Sequence, residues 1–396
     1  MTETSHQTSK FNQTPEIAEF RKVLKKFFAE NFGEQLRKSF LIDETSIEKR
    51  RKMMASAEAK AIYEKYCNLG ALSVGLPENF GGLGLGNQAL AAIIEETAQN
   101  LFPFPVFETA VLGLLPAWRH CNSGEVSAIV GSNKTITSGF MSYFNMAFAA
   151  EEFASAIKVR SNVDSITITG KTVTVPGFFE AEIFLMPVVI DGLIFICAIN
   201  NLTQQSIKVS NIQTLDLLRE YSEVTFNSTA VKIISPALVI SDLENTARLI
   251  ACLAVCELVG VTRASLELAT GYVRERQQFG KAVGSFQAIQ HMLADAHLHL
   301  EEASSLLNFA LWSSEHSLEQ FAQSATAAVA YAKDVLPRAI EDCLQAHGGI
   351  GFTFEYPIHL YLRRAQSISM LLERPQFSYA AVSNIVLQNA GPAAPY

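Results

Sequence analysis

Two apolar segments with helical spacing flank one short cationic stretch, Arg274–His291, which reads RERQQFGKAVGSFQAIQH. Upstream, Leu249, Leu253, Cys256, Val259, Ala264 and Leu268 recur at mostly three- and four-residue intervals. Downstream, Phe286, Ile289, Leu293, Ala296, Leu300 and Ala303 do the same. Such spacing lays one apolar stripe along each of two helices, joined here by a short corner. Gly280 is expected to take positive φ and cap the first helix. Arg274 and Arg276 are expected in its last turn, where a cation complements the negative end of the dipole. Two readings stand. The corner is a plain helix turn with dipole-stabilising cations, or Arg276 presents a planar fork of donors to a pyrophosphate while Phe279 packs on the same ligand.

A chain of 396 residues with 49% hydrophobic side chains supports a large buried core and two or three domains. The net charge of −8, with no long Lys/Arg run, argues against a nucleic-acid partner. No uninterrupted apolar run reaches the roughly 18–20 residues of a membrane span. Val188–Ile199 and Leu249–Val261 are short and carry Asp191 and Glu257. The first residues, MTETSHQTSKFNQ, are polar and lack a signal peptide's apolar core. Six cysteines, at 67, 121, 197, 252, 256 and 343, show no metal-ligand spacing. They read as reduced thiols of a cytoplasmic protein without a metal site.

Taken in order, residues 1–13 look like a disordered tail. Patterns are then helical to about Cys121: Pro15 starts a helix whose stripe is Ile17, Phe20, Val23, Leu24 and Phe27. The glycine-rich stretch 69–86 contains G-x-G-x-G, but no parallel-strand pattern precedes it, and Pro77 with Asn79 marks a loop. Its expected role is architectural. From Val126 short β-prone runs take over, at 129–130, 135–136, 156–159, 165–169, 172–175, 182–185, 193–198, 207–209 and 222–226. They predict a small antiparallel barrel or sandwich. Helical patterns resume at Leu243. The fold class is therefore α+β, with an N-terminal helical domain (1–123), a middle β domain (124–240) and a C-terminal helical bundle (241–396).

Gln345–Gly351 reads QAHGGIG and leads into FTFEYPIHLYLRRA. Together with Arg276-x-x-Phe279-Gly280, about 70 residues upstream, it resembles the acyl-CoA dehydrogenase family over nearly the whole chain. The resemblance implies FAD as cofactor, an acyl-CoA thioester as substrate and an electron-transfer flavoprotein as electron acceptor. It implies that Arg276, Phe279, Gln287, Gln345, Gly348 and Gly349 reach the ADP half of a neighbouring subunit's FAD. Paired glycines let backbone N–H groups approach a phosphate without a Cβ in the way.

The family's α,β-desaturation needs a carboxylate to remove the α proton. At the family's two base positions this chain has Leu372 and Ile250. Glu373 adjoins the first. Glu257 lies two turns beyond the second, and is either a base with a raised pKa in an apolar helix or the partner of an arginine between packed helices. The flavin-ring motifs of the β domain are also altered, with Val173 and Val175 in the tryptophan and hydroxyl positions after Lys171. The chain thus keeps what it would lend to a partner and departs where it would serve itself. That asymmetry is similar to the less complete subunit of the heterotetrameric acyl-CoA dehydrogenases of bacterial steroid side-chain breakdown. The expected function is acyl-CoA desaturation by a subunit that completes an FAD site at an interface with a homologous chain. Two alternatives stay open, a non-catalytic scaffold subunit and a homomeric enzyme with a relocated base.

Overall fold

The computed structural model describes residues 14–33, 36–37, 47–132, 134–140, 157–162, 165–372 and 377–389. Helix α1 (Pro15–Asn31) starts with proline at its first turn, where the missing N–H has no intrahelical partner to lose. It buries Ile17, Leu24, Phe27 and Phe28. Val23, expected in the stripe, is exposed, because it lies one position off that face. Helices α2 (Ile47–Met54), α3 (Ala57–Cys67) and α4 (Gly86–Gln99) follow. The Ser56 hydroxyl caps α3 by accepting from Ala59 N–H at 3.1 Å. A π-helical turn, Glu108–Leu114, runs into α5 (Leu115–His120), and α6 (Ser123–Gly131) closes the helical block. The strand expected at Ile129–Val130 is corrected: both residues lie in α6, which buries Val126 and Ile129 three positions apart on one face.

Among the described residues seven strands form one sheet in the order β1-β4-β5-β7-β3-β2, with β6 also pairing β7. They are β1 (Ile136–Ser138), β2 (Ile157–Asn162), β3 (Ser165–Pro176), β4 (Ile183–Ile190), β5 (Leu193–Ile199), β6 (Ile207–Ile212) and β7 (Tyr221–Ile233). Pairing is antiparallel except between β1 and β4. The two strands expected at 165–169 and 172–175 are one. Gly170 falls at a register shift inside β3 rather than in a turn, and a second irregularity follows between Thr172 and Val175. Inward-facing Ile168, Val175, Phe184, Ile196 and Phe226 build the sheet's own core.

The last block comprises α7 (Ile240–Glu275), the two-residue strands β8 (Gln277–Gln278) and β9 (Lys281–Ala282), α8 (Gln287–His316), α9 (Leu318–His347), α10 (Ile358–Leu372) and α11 (Tyr379–Asn389). Helix, sheet and helix thus succeed one another as the patterning predicts. Helix α7 contacts α4, α8, α9 and α10, and its side chains join the N-terminal helices in one core. One expectation changes here. Leu243–Glu275 is long and apolar enough to cross a membrane by length and composition, but 89% of its most apolar stretch is buried. A helix that is apolar all round is what a bundle's central element requires.

Candidate functional site

Helix α7 ends at Glu275, so Arg274 lies in its last turn and Arg276 just beyond it. The Arg276 N–H still donates to the Tyr272 carbonyl at 2.9 Å. The chain then turns into the β8–β9 ribbon, pairing Gln277 with Ala282 and Gln278 with Lys281. Gly280 is therefore not the helix cap expected from the sequence. The ribbon gives the backbone beyond α7 its partners, and Gly280 becomes the second residue of a two-residue hairpin loop. Phe279 and Gly280 both have positive φ, 54° and 79°, the combination a tight right-twisted hairpin demands. Glycine suits it; phenylalanine is an outlier there. The Phe279 ring stands 92% exposed, edge-on to Phe286 at 6.2 Å. Arg276 and Gln287 are exposed as well. An open groove of about 470 Å³ runs along the ribbon's base, lined by Thr270, Val273, Arg274, Ala282, Ser285 and Gln290.

A second corner follows α9. Gln345, Gly348 and Gly349 are exposed, and Gly348 has φ 61° and ψ −143°, a region essentially restricted to glycine. A Cβ built on Gly348 or Gly349 would meet nothing within 4 Å, so their backbone is open to an approaching group. The glycines of 69–86 differ. A Cβ on Gly82 would sit 2.1 Å from the Leu76 carbonyl, and one on Gly86 2.3 Å from a Glu315 carboxylate oxygen. That carboxylate already accepts the Asn87 N–H at the start of α4, at 2.6 Å. Those glycines are architectural; the pair after α9 is not filled by the protein.

Beneath the two corners lies a small core shared by Val273 of α7, Ala296 of α8, Cys343 and Ala346 of α9, and Ile358 of α10. His347 sits over it, 3% exposed. Its ring stacks on Tyr272 (4.7 Å, 20°) and leans on Tyr356 (4.8 Å). Its Nδ1 lies 2.7 Å from the Cys343 carbonyl, so Nδ1–H donates and Nε2 is the bare nitrogen. Nε2 meets no partner among the described residues, a burial that costs about 1–3 kcal/mol. Burial also pushes the His347 pKa down, against the raising effect of that carbonyl. The sequence reading passed over His347, since a histidine on an apolar helix face carries no signal that separates a core residue from a working one.

The acidic candidates fare differently. Both oxygens of Glu257 are taken by Arg219, at 2.7 and 2.8 Å, and Arg364 stands 3.7 Å away. Arg219 also reaches Glu108 at 2.7 Å, and Arg364 pairs with Asp216. Burial by itself would lower the Arg219 pKa, but the Glu108 and Glu257 carboxylates outweigh it and drive it well up. Of the two expectations for Glu257, the arginine pair is the one observed. A base must offer an unengaged oxygen to the proton it takes, and here neither is unengaged. The cavity beside this lattice holds about 20 Å³, room for a water and not for an acyl chain. Glu373 lies outside the described residues. Leu372 and Ile250, at the positions where the resemblance would put acids, are 3% and 1% exposed in the apolar core. Val175 is likewise packed into the sheet core. Among the described residues no cluster of three metal-ligating side chains occurs, and all six cysteines are free. Burial raises the Cys197, Cys252 and Cys343 thiols to about 12.

Residues 14–122 match the family model described as acyl-CoA dehydrogenase, N-terminal domain, and residues 245–371 the one described as acyl-CoA dehydrogenase, C-terminal domain. The chain is 29% identical over 317 residues to acyl-CoA dehydrogenase FadE34 of Mycobacterium tuberculosis, a match covering 79% of this chain and only 40% of that relative's length. It superposes on a chain of the ChsE4-ChsE5 complex from Mycobacterium tuberculosis with TM-score 0.77, 18% identity and coverage of 98% and 100%. A chain of the Tcur3481-Tcur3483 steroid ACAD gives TM-score 0.78 at 21% identity, covering 95% and 99%. At these identities the two superpositions establish the fold.

Proposed function

Because this chain belongs to the acyl-CoA dehydrogenase family, we propose that it serves an FAD-dependent acyl-CoA dehydrogenase as the subunit that completes the cofactor site at a subunit interface. Its domains would be 1–123, 124–240 and 241–396, in a cytoplasmic assembly with a homologous subunit. One contrast carries the reading. The corners built from Arg276, Phe279, Gln287, Gln345, Gly348 and Gly349 are exposed and open, while Glu257 in the interior is doubly paired.

The open corners fit a dinucleotide. Arg276 offers paired donors to a diphosphate, the Gly348–Gly349 backbone takes a phosphate without a Cβ in the way, and Phe279 supplies an apolar face. When bound, FAD supplies the two-electron oxidation that acyl-CoA desaturation requires, with an electron-transfer flavoprotein as the onward acceptor. This chain's own residues bind and orient the ADP end. They leave the proton transfer to a carboxylate of the partner, since Glu257 has no unengaged oxygen and Leu372 and Ile250 are apolar. The likeness to a chain of a steroid ACAD supports a steroid-derived acyl-CoA as the substrate class.

The test is co-expression with a co-encoded homologous subunit, followed by flavin content and acyl-CoA-dependent reduction. Arg276→Ala should bleach the complex and abolish turnover. A complex that keeps flavin and rate after that change assigns the chain a scaffold role instead. Flavin-stoichiometric activity from this chain alone would point to a homomeric enzyme with its own base.

A further inference from the structure

We infer that His347 is a positioning residue: its imidazole, packed in one three-ring cluster with Tyr272 and Tyr356, sets the Arg276 corner and the Gly348–Gly349 corner in fixed relation to one another. The inference rests on the reading of those corners as one dinucleotide site and adds the device that makes two separate turns act together.

Three connections carry it. His347 closes α9 and is followed directly by Gly348, so the second corner departs from its backbone. Its ring lies nearly parallel to Tyr272 at 4.7 Å, and the Tyr272 carbonyl receives the Arg276 N–H at 2.9 Å, so the first corner departs from that stacked residue. Tyr356, beyond the glycine turn, closes on the ring at 4.8 Å, tilted by 51°, and on Tyr272 at 6.1 Å, so the three rings pack as a triangle. One imidazole thereby touches a residue near the end of α7 and a residue just before α10. The Nδ1–H bond to the Cys343 carbonyl fixes the ring's rotation about its own helix. Gly351 winds over the same residue: a Cβ there would lie 3.1 Å from His347 Cβ and 3.0 Å from the Leu344 carbonyl.

The retained chemistry agrees with a packing role. Nε2 is buried with no partner among the described residues, so the imidazole is not held for a hydrogen bond at that nitrogen. What it offers is a ring that touches both tyrosines at once, where the last turn of α7, the end of α9 and the approach to α10 meet. Both tyrosines are partly buried and pack against the small core shared by these helices.

The experiment compares the full chain with His347→Ala, which removes the ring, and His347→Phe, which keeps a ring and drops the Nδ1 bond. Amide hydrogen exchange is read at the ribbon 276–283 and at the turn 348–352, and FAD affinity is measured on the assembly with the homologous subunit. Removing the ring should accelerate exchange in both segments and weaken FAD binding by about tenfold or more, the scale of a small misplacement of donors. The phenylalanine variant should restore protection and bring affinity back to within about threefold. Faster exchange confined to 348–352, with the ribbon unchanged, would overturn the coupling. So would a phenylalanine variant no better than alanine. If the wild-type assembly binds no FAD, the dinucleotide reading itself has failed, and the exchange comparison still decides whether His347 links the two turns.

Discussion

Arg219 holds Glu257 through two parallel contacts, Nη1 to Oε2 at 2.8 Å and Nη2 to Oε1 at 2.7 Å, in a setting where the side chains are 8% and 5% exposed. A bidentate pair with so little water is strongly oriented and poorly replaced. With Glu257 neutral, Arg219 keeps Glu108 and Arg364 keeps Asp216, so the loss is that of the charged hydrogen bonds to Glu257, about 1.5–3 kcal/mol. Glu257→Gln should therefore lower the unfolding free energy by that order in a denaturant titration. The surviving folded fraction should keep the assembly's per-flavin turnover within a few-fold. A stable but inactive variant would return Glu257 to the role of base.

Phe279 departs from what local stability favours. A two-residue loop with positive φ at both positions is best served by Asn-Gly or Asp-Gly, and a bulky residue in that region is strained by roughly 1–2 kcal/mol. Phe279→Asn should raise stability by about 0.5–1 kcal/mol, read as a rise in melting temperature. FAD affinity should fall at the same time, because the exposed aromatic face is gone. Loss of both stability and affinity would mean that the ring packs within the fold rather than serving a ligand.

Gly349 offers a sharper probe than Gly348. The latter's φ of 61° with ψ −143° would strain any side chain by about 1–3 kcal/mol. Gly349 is not among the positive-φ residues, and a Cβ there meets nothing within 4 Å. Gly349→Ala should leave the melting temperature nearly unchanged, an effect within about 0.5 kcal/mol. The same methyl group should weaken FAD binding by occupying the space a phosphate needs. Unaltered affinity would remove this corner from the site.

How far the sequence reaches is visible in these same residues. The order of helices, sheet and helices follows from a switch between 3.6-residue and two-residue periodicity, which averages over many side chains. The first corner was legible from the Phe279–Gly280 break between two apolar stripes, and the second from the family resemblance that Gln345–Gly351 carries. Ile129–Val130 misled, since two β-branched residues fit an amphipathic helix once Val126 joins them on the buried face. Gly280 misled because ribbon pairing between Gln277 and Ala282 is not written in the glycine itself. Arg219 was invisible as the partner of Glu257, 38 positions apart, because sequence spacing says nothing about which loop reaches the middle of α7. His347 was missed for a related reason: its meaning lies in Tyr272, which only the packing of α7 against α9 brings to it.

Acid should destabilise the fold through two buried histidines, and the sign follows from where each sits. His347 and His359 both have pKa values lowered from 6.5, chiefly by burial, with the Arg363 charge adding to the effect on His359. Above 6.5 each ring is neutral in the folded and unfolded chain, so it imposes no penalty. As pH falls below that value the unfolded chain takes up protons first, and stability is lost progressively until the lower folded pKa is reached. Other groups work in the opposite sense: burial raises the carboxyls of Glu96 and Glu180, so they favour the folded state on acidification. The histidine contribution is therefore read as a difference. Melting temperature followed from about pH 7.5 to about 5.5 should fall more steeply for the native chain than for His347→Phe, and the combination with His359→Phe should flatten it further. Equal slopes for all three proteins would mean that these rings gain protons as readily folded as unfolded, and that the stack on Tyr272 tolerates an imidazolium.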